Sequence, residues 1–197
     1  MKLKSFKFFY PEKPRLMSID QPLFRKLSED PNWIAERKYN EIRLELHKNG
    51  SFRFWNRHEQ ELDYRPSDEL LEALNSIPLL GYCLLDGGLR HNKVPGIKHQ
   101  IVFYDLFAFD GEMLLKESFH VRRKRLEGLL SNVEGPVSLP EQFPGDFEKV
   151  FKEVIKDPEI EGLVMKNQLG RLNLGRRSGA DSKWMWKVRE QSGRYRF

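Results

Sequence analysis

Ile42, Leu44 and Leu46 alternate with polar residues, Asn49-Gly50 follows, and Phe52 and Phe54 resume the alternation. Apolar side chains at every second position line one face of a strand, and Asn-Gly suits the backbone angles of a tight hairpin turn. This segment is a half-buried hairpin and a poor helix. Apolar runs at 81–89 and 101–109 read as buried strands, the first with a glycine turn. Asp110-Gly111 turns the second run into 113–115, and two more strands are expected around 162–167 and 183–188. Helical patterns are fewer. Pro22 opens a short helix to Ser28, and Ser67 caps one bearing Leu70, Leu71 and Leu74, which Pro78 ends. Residues 120–130 place Leu126, Leu129 and Leu130 inward and Arg122, Arg123, Lys124 and Arg125 largely outward. That basic run reads as a solvated face, with a nucleic-acid contact as the alternative. Asp146 is the expected N-cap of a helix bearing Phe147, Val150, Phe151, Val154 and Ile155. Strands outnumber helices and the two are mixed, so the expected class is α+β, with mainly antiparallel sheets flanked by helices.

The 197 residues suffice for one domain with a substantial core, or for two small ones. Residues 1–32, interrupted by Pro11, Pro14, Pro22 and Pro31, read as a lead-in packed on a domain of residues 33–197. No apolar run approaches a membrane span, and no apolar stretch follows the basic start to make a secretory signal. The single cysteine, Cys83, cannot form an internal disulfide, so a reducing intracellular compartment is expected, with Cys83 as a core residue. The five histidines are scattered and show no zinc spacing. A net charge of +5 suits a polyanionic partner, because lysine and arginine bind phosphates and release counterions.

Glu36-Arg37-Lys38-Tyr39-Asn40-Glu41-Ile42-Arg43 sets Lys38 between the apolar Trp33, Ile34 and Ala35 and the first strand of the hairpin. A lysine among strands can lose solvation, which disfavours the ammonium and makes the amine a better nucleophile. Alone, it reads as a solvated surface charge, as most lysines are. Four segments follow it in order: Leu85-Asp86-Gly87-Gly88-Leu89, Phe103-Tyr104-Asp105-Leu106, Glu161-Gly162-Leu163-Val164-Met165-Lys166, and Trp186-Lys187-Val188-Arg189. This ordered series, from Trp33 to Arg189, resembles the nucleotidyltransferase (adenylation) domain of the covalent lysyl-nucleotide superfamily. That group comprises ATP-dependent DNA ligases, RNA ligases and mRNA capping enzymes.

The resemblance implies an ATP-grasp-like ligase nucleotidyltransferase fold that acts on ATP with Mg2+ or Mn2+. It implies that Lys38 takes up AMP, passes it to a 5′-phosphate, and leaves that end open to a 3′-hydroxyl. Lys187 and Arg189 would act with it as catalytic cations. Glu36, Arg37, Arg43, Arg57, Tyr104, Glu161 and Lys166 would bind the nucleotide, with Tyr104 stacking on the base, and Glu161 and Asp86 would hold the metal. The implied partner is nucleic acid, a nicked duplex or strand ends, with Arg57, Arg176 and Arg177 near its backbone. The family's oligonucleotide-binding (OB) domain is expected to be absent, since the sequence stops eight residues past Arg189, or to come from a repair partner. Two departures from the pattern stand out. Asn40 and Glu41 replace an aspartate and a glycine, and Gly88 replaces the glutamate of Asp-Gly-Glu. The site is thus one carboxylate short, with Asp86 or Glu41 as the candidates to compensate. A degenerate module that binds nucleic acid without sealing it, or an RNA-directed ligase or capping-type enzyme, are the alternatives.

Overall fold

The computed structural model of the chain describes residues 8–10, 12–92, 98–173 and 181–190. Arg176 and Arg177 lie outside them. In chain order the elements are β1 (Lys13–Leu16), α1 (Pro22–Glu29), β2 (Trp33–Tyr39), β3 (Ile42–Asn49), β4 (Ser51–Asn56), α2 (Asp68–Ser76), β5 (Cys83–Arg90) and β6 (Gln100–Phe109). They continue with β7 (Glu112–Met113), α3 (Phe119–Leu130), β8 (Val137–Ser138), β9 (Gln142–Pro144), α4 (Phe147–Val154), β10 (Ile160–Asn167) and β11 (Asp181–Arg189). The fold is α+β, and most strand pairs are antiparallel. The chain divides into two compact units.

The first unit is built from Glu41–Pro140 and the described residues of Met1–Glu12 and Leu169–Ala180. Its sheet runs β4-β3-β5-β6-β7, with β8 parallel to β6. The β3–β4 hairpin turns at Gly50, whose φ is 80°. Leu44, Leu46, Leu85, Ile101 and Phe103 share a core with Leu70 and Leu74 of α2 and Leu126 of α3. Ser67 caps α2 through Leu70 N. Strand β5 passes straight through Gly87 and Gly88, and the left-handed glycine is Gly81, in the bend before the strand. Neither Gly87 nor Gly88 has positive φ. A Cβ on Gly87 would lie 2.7 Å from the Val102 carbonyl, so that glycine lets two strands approach.

Arg122 and Arg123 are buried, not outward; only Lys124 and Arg125 face solvent. Arg123 donates to Glu127 and to the Pro140 carbonyl, and Arg122 is drawn in by Asp105 on β6, itself 4% exposed, which needs a cation. Arg122 forks onto it, Nε to Oδ1 at 2.8 Å and Nη2 to Oδ2 at 2.7 Å, and also donates to the Glu117 carbonyl. Breaking such a pair from one side costs about 3–5 kcal/mol, because the surviving charge stays buried alone.

The second unit comprises Lys13–Asn40, Glu141–Gln168 and the described residues of Asp181–Phe197. Its sheet order is β1-β11-β10-β2-β9, with β1 parallel to β11. Trp33, Ala35, Leu163, Met165 and Val188 form one apolar face, covered by Phe24 and Leu27 of α1 and Phe147, Phe151 and Val154 of α4. Asp146 occupies the N-cap position of α4 but does not cap it. Its backbone is left-handed (φ 46°), and the Phe147 amide donates to Ser28 Oγ of α1 instead. The cap thus comes from the neighbouring helix.

In the first unit, the polar side of β3 is also buried. His47 Nδ1 lies 2.6 Å from Tyr82 Oη and its Nε2 lies 3.1 Å from Glu45 Oε2, which also accepts from the Phe9 amide. Burial, then Arg53, pushes the His47 pKa down to about 4. Burial, then the Asp86 charge, pushes Glu45 well above the usual carboxylate range. A carboxyl whose folded pKa is raised stabilises below its unfolded pKa and loses that contribution as pH rises through the folded one. Glu45→Gln removes this loss. The melting temperature of the variant, relative to the unsubstituted protein, should therefore climb as pH rises above the ordinary carboxylate range; a constant difference would contradict the assignment.

Candidate active site

Strand alternation and register build one polar face in the second unit. Opposite the apolar face, β2 presents Ile34, Glu36 and Lys38, β10 presents Lys166, Val164 and Gly162, and β11 presents Met185, Lys187 and Arg189. Antiparallel pairing places Glu36, Val164 and Lys187 in one row and Lys38, Gly162 and Arg189 in the next.

Glu161 joins this face through a β-bulge. Ile160 pairs with Tyr39 and Gly162 with Lys38, which leaves Glu161 unpaired in the ladder. Gly162 makes the bulge possible. Its φ is 149°, and a Cβ there would collide with the Val188 carbonyl and lie 3.0 Å from Arg189 Cα. The Glu161 carboxylate accepts a hydrogen bond from Lys38 Nζ, and Arg189 Nε stands 3.7 Å from the same oxygen. One carboxylate thus gathers the candidate nucleophile and one of the two candidate cations.

The neighbouring row is closed by its own pairs. Glu36, 2% exposed, accepts from Lys166 Nζ at 2.7 Å and from Gln142 Nε2 at 2.8 Å. Gln142 sits on three-residue β9, too short to carry a sequence period. Among the described residues, Lys187 has no such acid paired with it on this face. Burial first, then Arg189, Lys38 and Lys13, lower its pKa to about 8, with Asp181 opposing. Arg37 alternates to the other face, where it pairs with Glu141 at 2.7 Å and lies over the Phe143 ring.

The remaining predicted residues belong to the first unit. Arg43 and Asp86 form a two-pronged pair, Nε to Oδ1 and Nη2 to Oδ2, both 2.6 Å. Burial works against the Arg43 charge, but Asp86, and behind it Glu45 and Glu41, outweigh it and raise the pKa. Tyr104 also owes its place to a bulge. Asp86 pairs with Asp105 and Gly87 with Phe103, so Tyr104 is the extra residue. Arg57 is exposed in the turn after β4 and donates to His58. Each of the two expected metal ligands is paired with a cation. Arg43 takes up both Asp86 oxygens, Glu161 is held by Lys38, and among the described residues no three His, Cys, Asp or Glu side chains come together as ligands. No helix among them is long and apolar enough to cross a membrane.

The family model described as "ATP dependent DNA ligase domain" matches residues 88–188, half of the chain. The chain belongs to the ATP-dependent DNA ligase domain family. This ligase domain is 31% identical over 107 residues to the multifunctional non-homologous end joining protein LigD of Mycolicibacterium smegmatis, covering 52% of the chain and 13% of that protein. It is 25% identical over 209 aligned positions to DNA ligase 1 of Korarchaeum cryptofilum, covering 92% of the chain and 37% of that protein. It therefore spans about an eighth of the first relative and little more than a third of the second. A solved mycobacterial DNA ligase D complexed with ATP and MES superposes with a TM-score of 0.61 at 25% identity, over 81% of the chain and 55% of that structure.

A polyanion arriving beside Lys187 would restore its proton. Binding of ATP by this ligase domain at about pH 8 should therefore take up a fraction of a proton, read by calorimetry in two buffers of different ionisation enthalpy. Lys187→Met should abolish the uptake, and an uptake equal in both proteins would assign it elsewhere.

Proposed function

We propose that this ligase domain is the catalytic core of an ATP-dependent polynucleotide ligase acting on DNA, and that Lys38 carries AMP covalently. The supporting observation is the Glu161 bulge, which joins Lys38 and Arg189 on a face shared with Lys187. In the first step Lys38 Nζ attacks the α-phosphorus of ATP. Glu161, already hydrogen-bonded to Nζ, takes one proton from the ammonium to free its lone pair; a nitrogen–phosphorus bond forms, the bond to the pyrophosphate oxygen breaks, and the second Nζ proton leaves with the departing pyrophosphate. Lys187 and Arg189 supply positive charge where it builds up on the phosphates, the usual source of catalysis in such transfers. Divalent metal would accompany ATP as part of the substrate, shielding phosphate charge. AMP then passes to a 5′-phosphate, and a 3′-hydroxyl displaces it to seal the strand. Tyr104 offers a flat ring for adenine, and the net charge of +5 suits the nucleic-acid backbone.

Asn40, Glu41 and Gly88 favour a second reading, a module that binds strand ends or nucleotides without chemistry. Incubation with ATP and magnesium or manganese, followed by intact-mass measurement, separates the two. The proposal predicts one added AMP, lost in Lys38→Ala. It also predicts that Glu161→Gln slows labelling by about 10²–10⁴-fold, the range for removing a proton acceptor. Full labelling of Lys38→Ala would overturn the assignment, and no labelling of the unsubstituted protein would favour the binding module.

A further inference from the structure

Gly88 is a glycine for the sake of its neighbours' side chains. Its φ is not positive, so any residue could adopt its backbone. Gly87 and Gly162 differ, since a Cβ on either would meet backbone of the adjacent strand. A Cβ on Gly88 would collide instead with the Glu41 carboxylate and the Tyr104 hydroxyl. Both groups occupy the space a side chain at position 88 would need.

They reach it from opposite sides of β5. Arg43 pairs with Gly88 across β3–β5, and Glu41 stands two residues before Arg43. Val102 pairs with Gly88 across β5–β6, and Tyr104 follows two residues later, at the bulge. Both side chains reach the same Cβ position, so Glu41, Gly88 and Tyr104 meet on one side of the sheet. Glu41 also sits in the field of the Arg43 guanidinium. A carboxylate beside a fixed cation is a poor seat for a second cation, because the two like charges repel. It remains a good acceptor for hydroxyl groups. Next to a ring that can stack on a base, the hydroxyls within reach on the same ligand are those of a ribose.

We propose that Glu41 is the ribose-binding carboxylate of this ligase domain, lying over Gly88 to accept hydrogen bonds from the sugar hydroxyls of ATP. This deepens the ATP reading above and rests on it. An acid at 41 and a glycine at 88 form a matched pair: a side chain at 88 evicts Glu41, and exchanging the two residues keeps one carboxylate at the same spot.

The test is equilibrium binding of ATP and of 2′,3′-dideoxy-ATP to the unsubstituted protein, to Glu41→Gln and to the double variant Glu41→Gly/Gly88→Glu, each checked by circular dichroism. The unsubstituted protein should prefer ATP by on the order of tenfold to a hundredfold, the worth of hydrogen bonds to a charged group. Glu41→Gln should lose most of that preference by weakening ATP binding alone, and the double variant should regain it. Should Glu41→Gln not fold, the double variant decides, since loss of the ATP preference there overturns the proposal. So would an intact preference in Glu41→Gln, an equal loss for both nucleotides, or a raised metal requirement with the preference unchanged. Binding of ATP with no preference by the unsubstituted protein would overturn this proposal and leave the ATP reading standing. Binding of neither nucleotide would overturn both.

Discussion

No side chain fits at Gly162. The Val188 carbonyl fills the space where a Cβ would stand, and the backbone there has φ 149°. That steric fact fixes the bulge, and the bulge turns Glu161 toward Lys38. Without the extra residue, Glu161 would fall on the other face, among Leu163 and Met165, where a lone carboxylate is costly to bury. The apolar face and the polar face of the second unit therefore depend on the same glycine. A strand can serve both only if its register is held, and the neighbours β2 and β11 hold it on either side.

The charge on that face follows from the register. Lys38, Lys166, Lys187 and Arg189 share it with two carboxylates, Glu36 and Glu161. Glu36 is committed to Lys166, and both are almost fully buried, so their charges cancel locally. Glu161 is left between Lys38 and Arg189, and Lys187 feels mainly cations. Such a face is under electrostatic strain until an anion arrives. Burial first, and then these cations, lower the Lys187 pKa to about 8. A triphosphate would relieve the strain, so substrate binding and charge balance are one event in this account.

What was legible in the sequence was local. The Asn49-Gly50 hairpin and the Ser67 cap need only residues a few positions apart, and both are present. The motif order was legible because it lies along the chain. What was hidden depends on distant partners. Arg122 looks like a surface charge until Asp105, on another element, claims it. Asp146 looks like a cap, but a left-handed backbone hands that task to Ser28. Strand β1 is four residues long and contains Pro14, so it has no readable period. Glu41 and Gly88 were each visible as departures from the family pattern. Only the register, with Arg43 opposite Gly88, shows that one departure makes room for the other. Residues that bind through backbone spacing across a sheet leave no mark in a linear pattern.

The most direct measurement of the central claim is an experimental structure of the protein with a non-hydrolysable ATP analogue that carries a methylene between the α- and β-phosphorus. The account predicts the α-phosphorus within about 3.5 Å of Lys38 Nζ, the spacing of a reactive approach, with Lys187 and Arg189 around the phosphates. An α-phosphorus seated instead against Lys166 or Lys187, with Lys38 still held by Glu161 and turned from the ligand, would contradict it.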